Sequence, residues 1–132
     1  MAQTIALVTL VVPDYDAAID FYVGKLGFEL LEDTRRNETK RWVRVAPSGA
    51  QTAILLAKVD GPEQRAAVGS QTGGRVGFFL ETDDFERDHR AMCAAGVTFR
   101  ETPRVEPYGT VAVFEDPFGN LWDLIQHKMA TG

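Results

Sequence analysis

The sequence predicts an α+β fold built from two tandem βαβββ modules. Residues 7–15 read LVTLVVPDY and residues 77–85 read GFFLETDDF, so an apolar strand followed by an acidic and an aromatic residue occurs twice, 70 residues apart. Each copy precedes a stretch with helical spacing, and each half closes with a hairpin whose turn contains Pro-x-Gly, at residues 47–49 and 117–119. An internal repeat of this kind sets the order of the elements before any one of them is assigned.

Composition is typical of one globular domain covering residues 1–132, with a formal net charge of −5. The negative charge disfavours nucleic acid as a partner, because such proteins need a basic surface. Cys93 is the only cysteine, so an intramolecular disulfide and a Cys-based zinc site are excluded. We expect its thiol to be a small buried apolar group. The apolar run at residues 5–12 is too short to span a membrane, and we expect a cytoplasmic protein without a membrane partner.

The first strand and helix follow from local pattern. Residues 5–12 are β-branched and apolar, which predicts a buried strand. Asp14 or Asp16 is placed to cap the next helix, because a short carboxylate accepts from the free amides of the first turn. Gly27 is expected to end that helix in a left-handed conformation. The apolar face predicted for the helix comprises Tyr15, Ile19, Tyr22 and Leu26.

Three strands complete the first module, which spans residues 4–58. They are predicted over residues 28–33, 41–46 and 51–58, and the last two form a hairpin. Residues 59–74 are rich in glycine and have little pattern, which indicates a linker with a short helix near its middle. Because long loops are often functional, this segment is alternatively a mobile cover over a site.

The second module, residues 75–128, repeats this order. Its helix is predicted over residues 85–95, with Phe85, Met92 and Cys93 on the inner face. One βαβββ unit leaves one face of its sheet uncovered, so two units must pair to bury enough apolar surface. The predicted strands are residues 76–82, 97–101, 111–115 and 121–126.

Three segments of this chain resemble the vicinal oxygen chelate superfamily, which includes glyoxalase I, bleomycin-resistance proteins and extradiol dioxygenases. They are residues 8–28, residues 76–85 and, with the most specific motif, residues 114–126, which read FEDPFGNLWDLIQ. The resemblance covers nearly the whole chain. It implies a curved, partly open mixed sheet around a cleft, and it implies a homodimer, since relatives of this length commonly form one.

The same resemblance implies where a metal ion would bind. Metal-using members place one ligand on each of four strands, and the corresponding positions here are Leu7, Ala53, Gly77 and Asp123. If the alignment slips, Leu55 replaces Ala53 and is equally unable to ligate. One carboxylate does not hold an ion, so we expect no metal cofactor. His89 is expected at the surface or the edge of the core, and His127 lies too far along its strand from Asp123 to share an ion with it.

Strand alternation predicts which side chains face the cleft together with Asp123. The inward set is largely apolar, and Gly77 is expected to leave room for a planar ligand beside Phe79. Either Trp42 and Arg44 or Val43 and Val45 point inward.

Tyr108 either contacts a ligand at the rim or anchors its loop. The opposite parity of Trp122 predicts packing under a helix, and Asp116 and Asn120 are predicted to bond the backbone of the Pro-x-Gly turn. The candidate ligand-binding residues are Thr9, Gln51, Phe79, Glu81, Tyr108 and Asp123.

Glu81 is the candidate catalytic residue. A carboxylate beside apolar neighbours is costly unless it is solvated or paired, so it would bind a cationic ligand or accept a proton. Against this, strand ends are often wet, and Glu81 lies near one.

Three functions remain open from the sequence. The first is metal-independent binding of a small aromatic or cationic molecule. The second is an enzyme of the superfamily, of lyase, isomerase or dioxygenase type, with a metal site moved to Glu81, Asp123 or His127 or with acid–base catalysis through Glu81. The third is a dimeric accessory domain without a small-molecule role.

Overall fold

The computed structural model describes residues 1–128 and confirms an α+β fold with two mixed sheets. The chain forms two compact units, Met1–Gln71 and Thr72–Gly132. No helix within residues 1–128 is long and apolar enough to cross a membrane. The strands are β1 (Leu7–Val12), β2 (Glu29–Arg35), β3 (Arg41–Ala46), β4 (Ala53–Lys58), β5 (Val76–Glu81), β6 (Thr98–Phe99), β7 (Arg104–Glu106), β8 (Gly109–Glu115) and β9 (Leu121–His127). The α-helices are α1 (Tyr15–Ile19), α2 (Pro62–Ala67) and α3 (Phe85–Ala94).

The first unit contains one four-stranded sheet in the order β1-β4-β3-β2. β1 pairs with β4 in parallel, whereas the other pairs are antiparallel. Leu10, Val43 and Leu56 are fully buried on the face that α1 covers. Because side chains alternate along a strand, Thr9, Arg44 and Leu55 belong to the other face.

The first helix is wider than predicted. α1 continues into a π-helical segment, Asp20–Lys25, in which the Leu26 amide donates to the Phe21 carbonyl at 2.9 Å. Bonds between residues five apart place more residues in each turn than α-helical bonds do, so the apolar face shifts. Of the predicted face, Tyr15 and Tyr22 are buried, but Ile19 and Leu26 are only half-buried. Ala18 and Phe21 take their places in the core.

The second unit contains a sheet in the order β5-β9-β8-β6, and β7 pairs with β8 beyond this path. The strand predicted over residues 97–101 was wrong in extent, because only Thr98–Phe99 pair. Pro103 has no amide hydrogen to give to a ladder, and β7 begins directly after it. The chain therefore re-enters the sheet as an additional short strand that the repeat did not predict.

Helix α3 is fixed to its sheet at both its start and its inner face. The Asp84 carboxylate accepts from the Arg87 amide at 3.1 Å, and the Gln126 side chain on β9 accepts from the Phe85 amide at 2.8 Å. Phe85 and Met92 are buried as predicted. Cys93 was predicted to be buried and is instead exposed, because one further residue along a helix turns the side chain about 100° away from Met92.

The core of the second unit is a stack of aromatic rings beneath α3. Trp122 is buried, as its parity predicts, and its ring stacks on Phe78 at 4.5 Å and on Phe114 at 5.8 Å between centroids. At the β8–β9 turn, the Asp116 side chain accepts from the amides of Phe118 and Asn120, as predicted for this residue. The Asn120 side chain differs from its prediction, since it donates to the Asp116 carboxylate rather than bonding the backbone.

Candidate ligand-binding face

The helix-free face of the second unit carries a row of three residues in register. Phe79 on β5 lies beside Asp123 on β9, which lies beside Val113 on β8. Phe79 is 67% exposed, an unusual state for a phenyl ring. Asp123 is half-buried, and its Oδ1 is buried without a hydrogen-bond partner among the described residues. The row therefore combines an uncovered aromatic surface with an acceptor that lacks a donor.

Burial raises the pKa of the Asp123 carboxyl above its usual value, because removal from water penalises the charged form. The positive charge of Arg104 opposes this change in pKa, and the negative charge of Glu101 adds to it. Asp123 is thus the carboxyl on this face that a bound donor or cation would stabilise most.

Arg104 already has acidic partners of its own. Its Nε donates to the Glu101 carboxylate at 3.0 Å, and its Nη1 donates to Glu106 at 3.0 Å. Glu101 also accepts from the Val113 amide, so it holds β8. The Arg104 guanidinium is hydrogen-bonded to these two carboxylates. Its effect on Asp123 is therefore limited to the electrostatic attraction of its positive charge. The sequence did not predict the contact of Arg104 with Glu101, because it forms outside a helix, where an i, i+3 spacing does not by itself bring two side chains together.

Glu81 has the wetter of the two environments that the sequence left open. Its side chain is 68% exposed, as a position near a strand end allows, rather than enclosed by apolar neighbours. Its Oε1 lies 3.2 Å from the His127 Nδ1 on the neighbouring strand β9. The position of His127 along its own strand does not reveal this contact between strands, so the sequence did not predict it.

On the helix-free face of the first unit, Thr9 pairs with Leu55, Leu55 with Arg44, and Arg44 with Glu32. The open question about β3 is resolved, since Val43 and Val45 are buried and Arg44 lies on this face with Trp42. Arg44 Nε donates to Glu32 at 3.0 Å, and this bond lowers the pKa of the Glu32 carboxyl.

Two further candidate residues lie outside regular strands. Gln51 is exposed and precedes β4, which begins at Ala53 rather than at residue 51 as predicted. The connection from Pro47 to Thr52 is one residue longer than its counterpart at residues 116–120, so the strand starts later. Tyr108 lies in the β7–β8 turn and is 49% exposed, and its carbonyl accepts from the Lys128 amide.

The room predicted beside Gly77 is filled. A Cβ at this position would lie 2.9 Å from the Thr72 Cγ2, so the threonine methyl group occupies the space that a ligand was expected to use. The β5–β9 register also shifts between Val76 and Phe78, which leaves Gly77 as the extra residue of a bulge. The ligand surface next to Asp123 is therefore Phe79 itself.

The residues at the family's metal positions do not fit a divalent ion. Thr9 pairs with Leu55 as Phe79 pairs with Asp123, so the counterpart of Asp123 is Leu55 rather than Ala53. Leu7, Leu55 and Gly77 have no donor atoms in their side chains. Within residues 1–128, no group of three or more His, Cys, Asp or Glu side chains is placed to hold a metal ion.

Comparison with known proteins gives a consistent result. The model of the Glyoxalase/Bleomycin resistance protein/Dioxygenase superfamily matches residues 4–124. A protein of Shewanella frigidimarina is 55% identical over 128 residues, which cover 96% of this chain and 95% of that protein.

Two solved structures are also similar to this chain. The structure of UcmS2 has a TM-score of 0.81 at 33% identity, covering 95% of this chain and 98% of that one. The structure of TnmS3, an antibiotic binding protein from Streptomyces sp. CB03234, has a TM-score of 0.77 at 35% identity, covering 96% of this chain and 98% of that one.

Proposed function

This chain belongs to the Glyoxalase/Bleomycin resistance protein/Dioxygenase superfamily, and we propose that it binds a small organic molecule without a metal ion. The ligand is a planar aromatic compound that carries a hydrogen-bond donor or a positive charge. It binds against the helix-free face of the second unit.

The observation that carries this proposal is the pairing of Phe79 with Asp123. An exposed ring offers a stacking surface, and aromatic contacts favour planar partners. The unpartnered Oδ1 of Asp123 is costly in the free protein, and a ligand donor would satisfy it. The similarity to TnmS3, an antibiotic binding protein, supports a binding function for this chain.

We propose to test this with two planar three-ring probes of opposite charge, 9-aminoacridine and anthracene-9-carboxylate. A ligand that binds only the folded state raises Tm, so 9-aminoacridine should stabilise the protein and the anthracene acid should not. Titration calorimetry should give an affinity about tenfold lower for Asp123→Asn, because a bond to a charged acceptor is lost. Phe79→Ala should weaken both enthalpy and affinity.

Val105→Ala is the matched control, since Val105 is an exposed apolar residue of the same unit but is paired in β7, away from the row. It should leave binding unchanged. Equal affinities for both probes would contradict the charge preference. Unchanged binding in Phe79→Ala would overturn the proposed location.

A catalytic role for Glu81 is the second candidate, favoured by its contact with His127 at 3.2 Å. An exposed carboxylate beside an imidazole is able to exchange protons with a bound molecule. In that case the wild-type protein should convert a bound ligand chemically, and Glu81→Gln should lose this conversion while still binding the ligand. If the protein only binds, the wild type should release its ligand unchanged.

We further propose that the protein acts in the cytoplasm as a homodimer. Leu30 and Leu31 support the dimer, because both are more than 40% exposed on the edge strand β2, and exposed apolar edges favour association. Light scattering coupled to gel filtration tests it, with Leu31→Lys expected to shift a dimer towards monomer.

A further inference from the structure

A groove on the helix side of the second unit has the size of a small-molecule site. It encloses about 630 Å³ between α3 and the β7–β8 segment. Pro103 and Val105 form part of its wall, and Val105 is 81% exposed, so the fold leaves an apolar side chain uncovered there. Thr110 and Gln126, which pair across β8 and β9, also line it. They share the face that α3 covers, so this groove is distinct from the row of Phe79 and Asp123.

The groove contains a cysteine–histidine pair. Cys93 and His89 are one helical turn apart on α3, and the Cys93 Sγ lies 3.8 Å from the His89 Nε2 and 4.0 Å from the Nδ1. The imidazole is held from both sides, with its centroid 5.4 Å from Phe85 and 4.4 Å from Phe99. The sulfur thus lies within 4.0 Å of both ring nitrogens.

We propose that Cys93 is a site of covalent modification by small, uncharged, apolar α,β-unsaturated ketones. The Cys93 sulfur forms a bond to the β-carbon of the alkene, and the alkene electron pair moves through the α-carbon to the carbonyl oxygen as an enolate. The thiol proton passes to His89 and then to the α-carbon, which restores the ketone. No oxidant, reductant or leaving group is required.

Each wall of the groove favours this class of reactant. A thiolate is the reactive form of cysteine, and the neighbouring imidazole accepts its proton. Arg90 lines the groove and brings a positive charge that suits the enolate oxygen, whereas Glu86 on the same helix disfavours anionic reactants. Pro103 and Val105 favour an alkyl chain over a polar one. This inference does not depend on the proposed function, because it concerns another face and another reaction.

The test compares 1-octen-3-one, which has an apolar chain, with acrylamide, which is small and polar. Adduct formation is followed by intact mass spectrometry, with glutathione as the thiol without a groove and Cys93→Ser as the control that should form no adduct. The wild-type thiol should react with octenone about tenfold faster than glutathione does, through general-base assistance and binding. His89→Gln, checked for an unchanged Tm, should slow both reagents.

Val105→Ser separates the groove from the base. It changes an exposed residue, so folding should be unaffected, and it should slow octenone about threefold while leaving acrylamide unchanged. Rates equal to those of glutathione for both reagents would mean an exposed thiol only and would overturn the proposal. If Val105→Ser keeps the preference for octenone, the groove does not select the reagent and the proposal fails. This holds even if His89→Gln reacts slowly with both reagents.

Discussion

Asp123 illustrates how one side chain can be unfavourable for the fold and useful for binding. Its Oδ1 is buried without a hydrogen-bond partner within residues 1–128, and Arg104, whose positive charge acts on it, is already bonded to Glu101 and Glu106. The free protein therefore holds a carboxyl whose charged form is poorly solvated. A ligand donor would remove that cost, which is why this residue is central to the proposed site.

The difference in stability between Asp123→Asn and the wild type should depend on pH. Because burial raises the Asp123 pKa, ionisation is harder in the folded than in the unfolded chain. The protonated Asp123 carboxyl makes its full contribution to the stability of the folded state below about pH 4, and this contribution is lost as the pH rises through the folded pKa. The neutral amide lacks this loss, so the variant should melt roughly 2 °C above the wild type at pH 7 and show no advantage at pH 3.5. A variant that is less stable than wild type at pH 7 would contradict this.

Asp116 should be the most sensitive carboxylate in the second unit. It is 3% exposed, and it accepts from the Phe118 amide, the Asn120 amide and the Asn120 side chain. Asp116→Ala leaves these buried donors without their acceptor, which should cost about 3 kcal/mol in urea unfolding. Asp84→Ala is the control, since this exposed cap makes one bond to Arg87 and should cost about 1 kcal/mol. Equal losses would show that burial does not set the cost.

At the scale of elements, Gln71 protects the outer edge of β1. Its Oε1 accepts from the Val11 amide at 2.9 Å, and its Nε2 donates to the Thr9 carbonyl at 2.7 Å. The side-chain amide thus bonds the edge as a neighbouring strand would, in a segment that the sequence indicates as a glycine-rich linker or a mobile cover over a site. An edge strand without such cover is open to pairing with other chains.

Gln71→Ala should expose this edge. The expected loss is about 1 kcal/mol in urea unfolding, because both freed groups become solvated rather than buried. The Val11 amide should lose its protection in hydrogen exchange, and the variant should aggregate faster on heating. Gln64→Ala is the matched control, since its side chain bonds only the nearby Asp60 amide and should leave Val11 protected. Retained protection in Gln71→Ala would refute the edge role.

The elements that the sequence predicts well are those that local chemistry determines. The apolar runs of β1 and β5 and the capping aspartate Asp14 have their signals within a few neighbours, and each is present. The prediction of a buried strand over residues 5–12 was wrong in extent, because β1 begins at Leu7 and only its Leu10 and Val12 are buried. The π-helical turn, the bulge at Gly77 and the strand β7 depend on which strand lies alongside, and periodicity contains no such information.

The candidate site divides along the same line. Strand alternation predicts that Phe79 and Asp123 lie on one face of the sheet, and the β5–β9 register places the two residues side by side. The contact of Glu81 with His127 joins two strands 46 positions apart in the chain, so no spacing argument could find it. The contact of His89 with Cys93 was readable, since their i, i+4 spacing on a helix brings them together. Cys93 alone was assigned to the core, from its hydrophobicity, whereas His89 was expected at the surface or the edge of the core.

At the scale of the whole molecule, the fold of the superfamily is present, while the positions at which the resemblance implies metal ligands mostly lack donor atoms. Each unit has a parallel pairing of its first and last strands, β1 with β4 and β5 with β9. In the first unit that pairing presents Leu7, Thr9 and Leu55, and in the second it presents Asp123 beside Phe79. Under the proposed function, these sheets supply a shaped surface rather than a coordination sphere.

Chelation should therefore leave the protein unchanged. Before any chelator is added, elemental analysis of the purified protein should find far less than one equivalent of any divalent metal, because one carboxylate does not retain an ion. After dialysis against EDTA, both Tm and the affinity for 9-aminoacridine should match those of the untreated protein. If about one equivalent of metal is present and its removal lowers Tm, metal-independent binding is refuted. Asp123→Asn then locates the ion, since metal lost with that substitution lies on this face, whereas metal that remains is held by other residues.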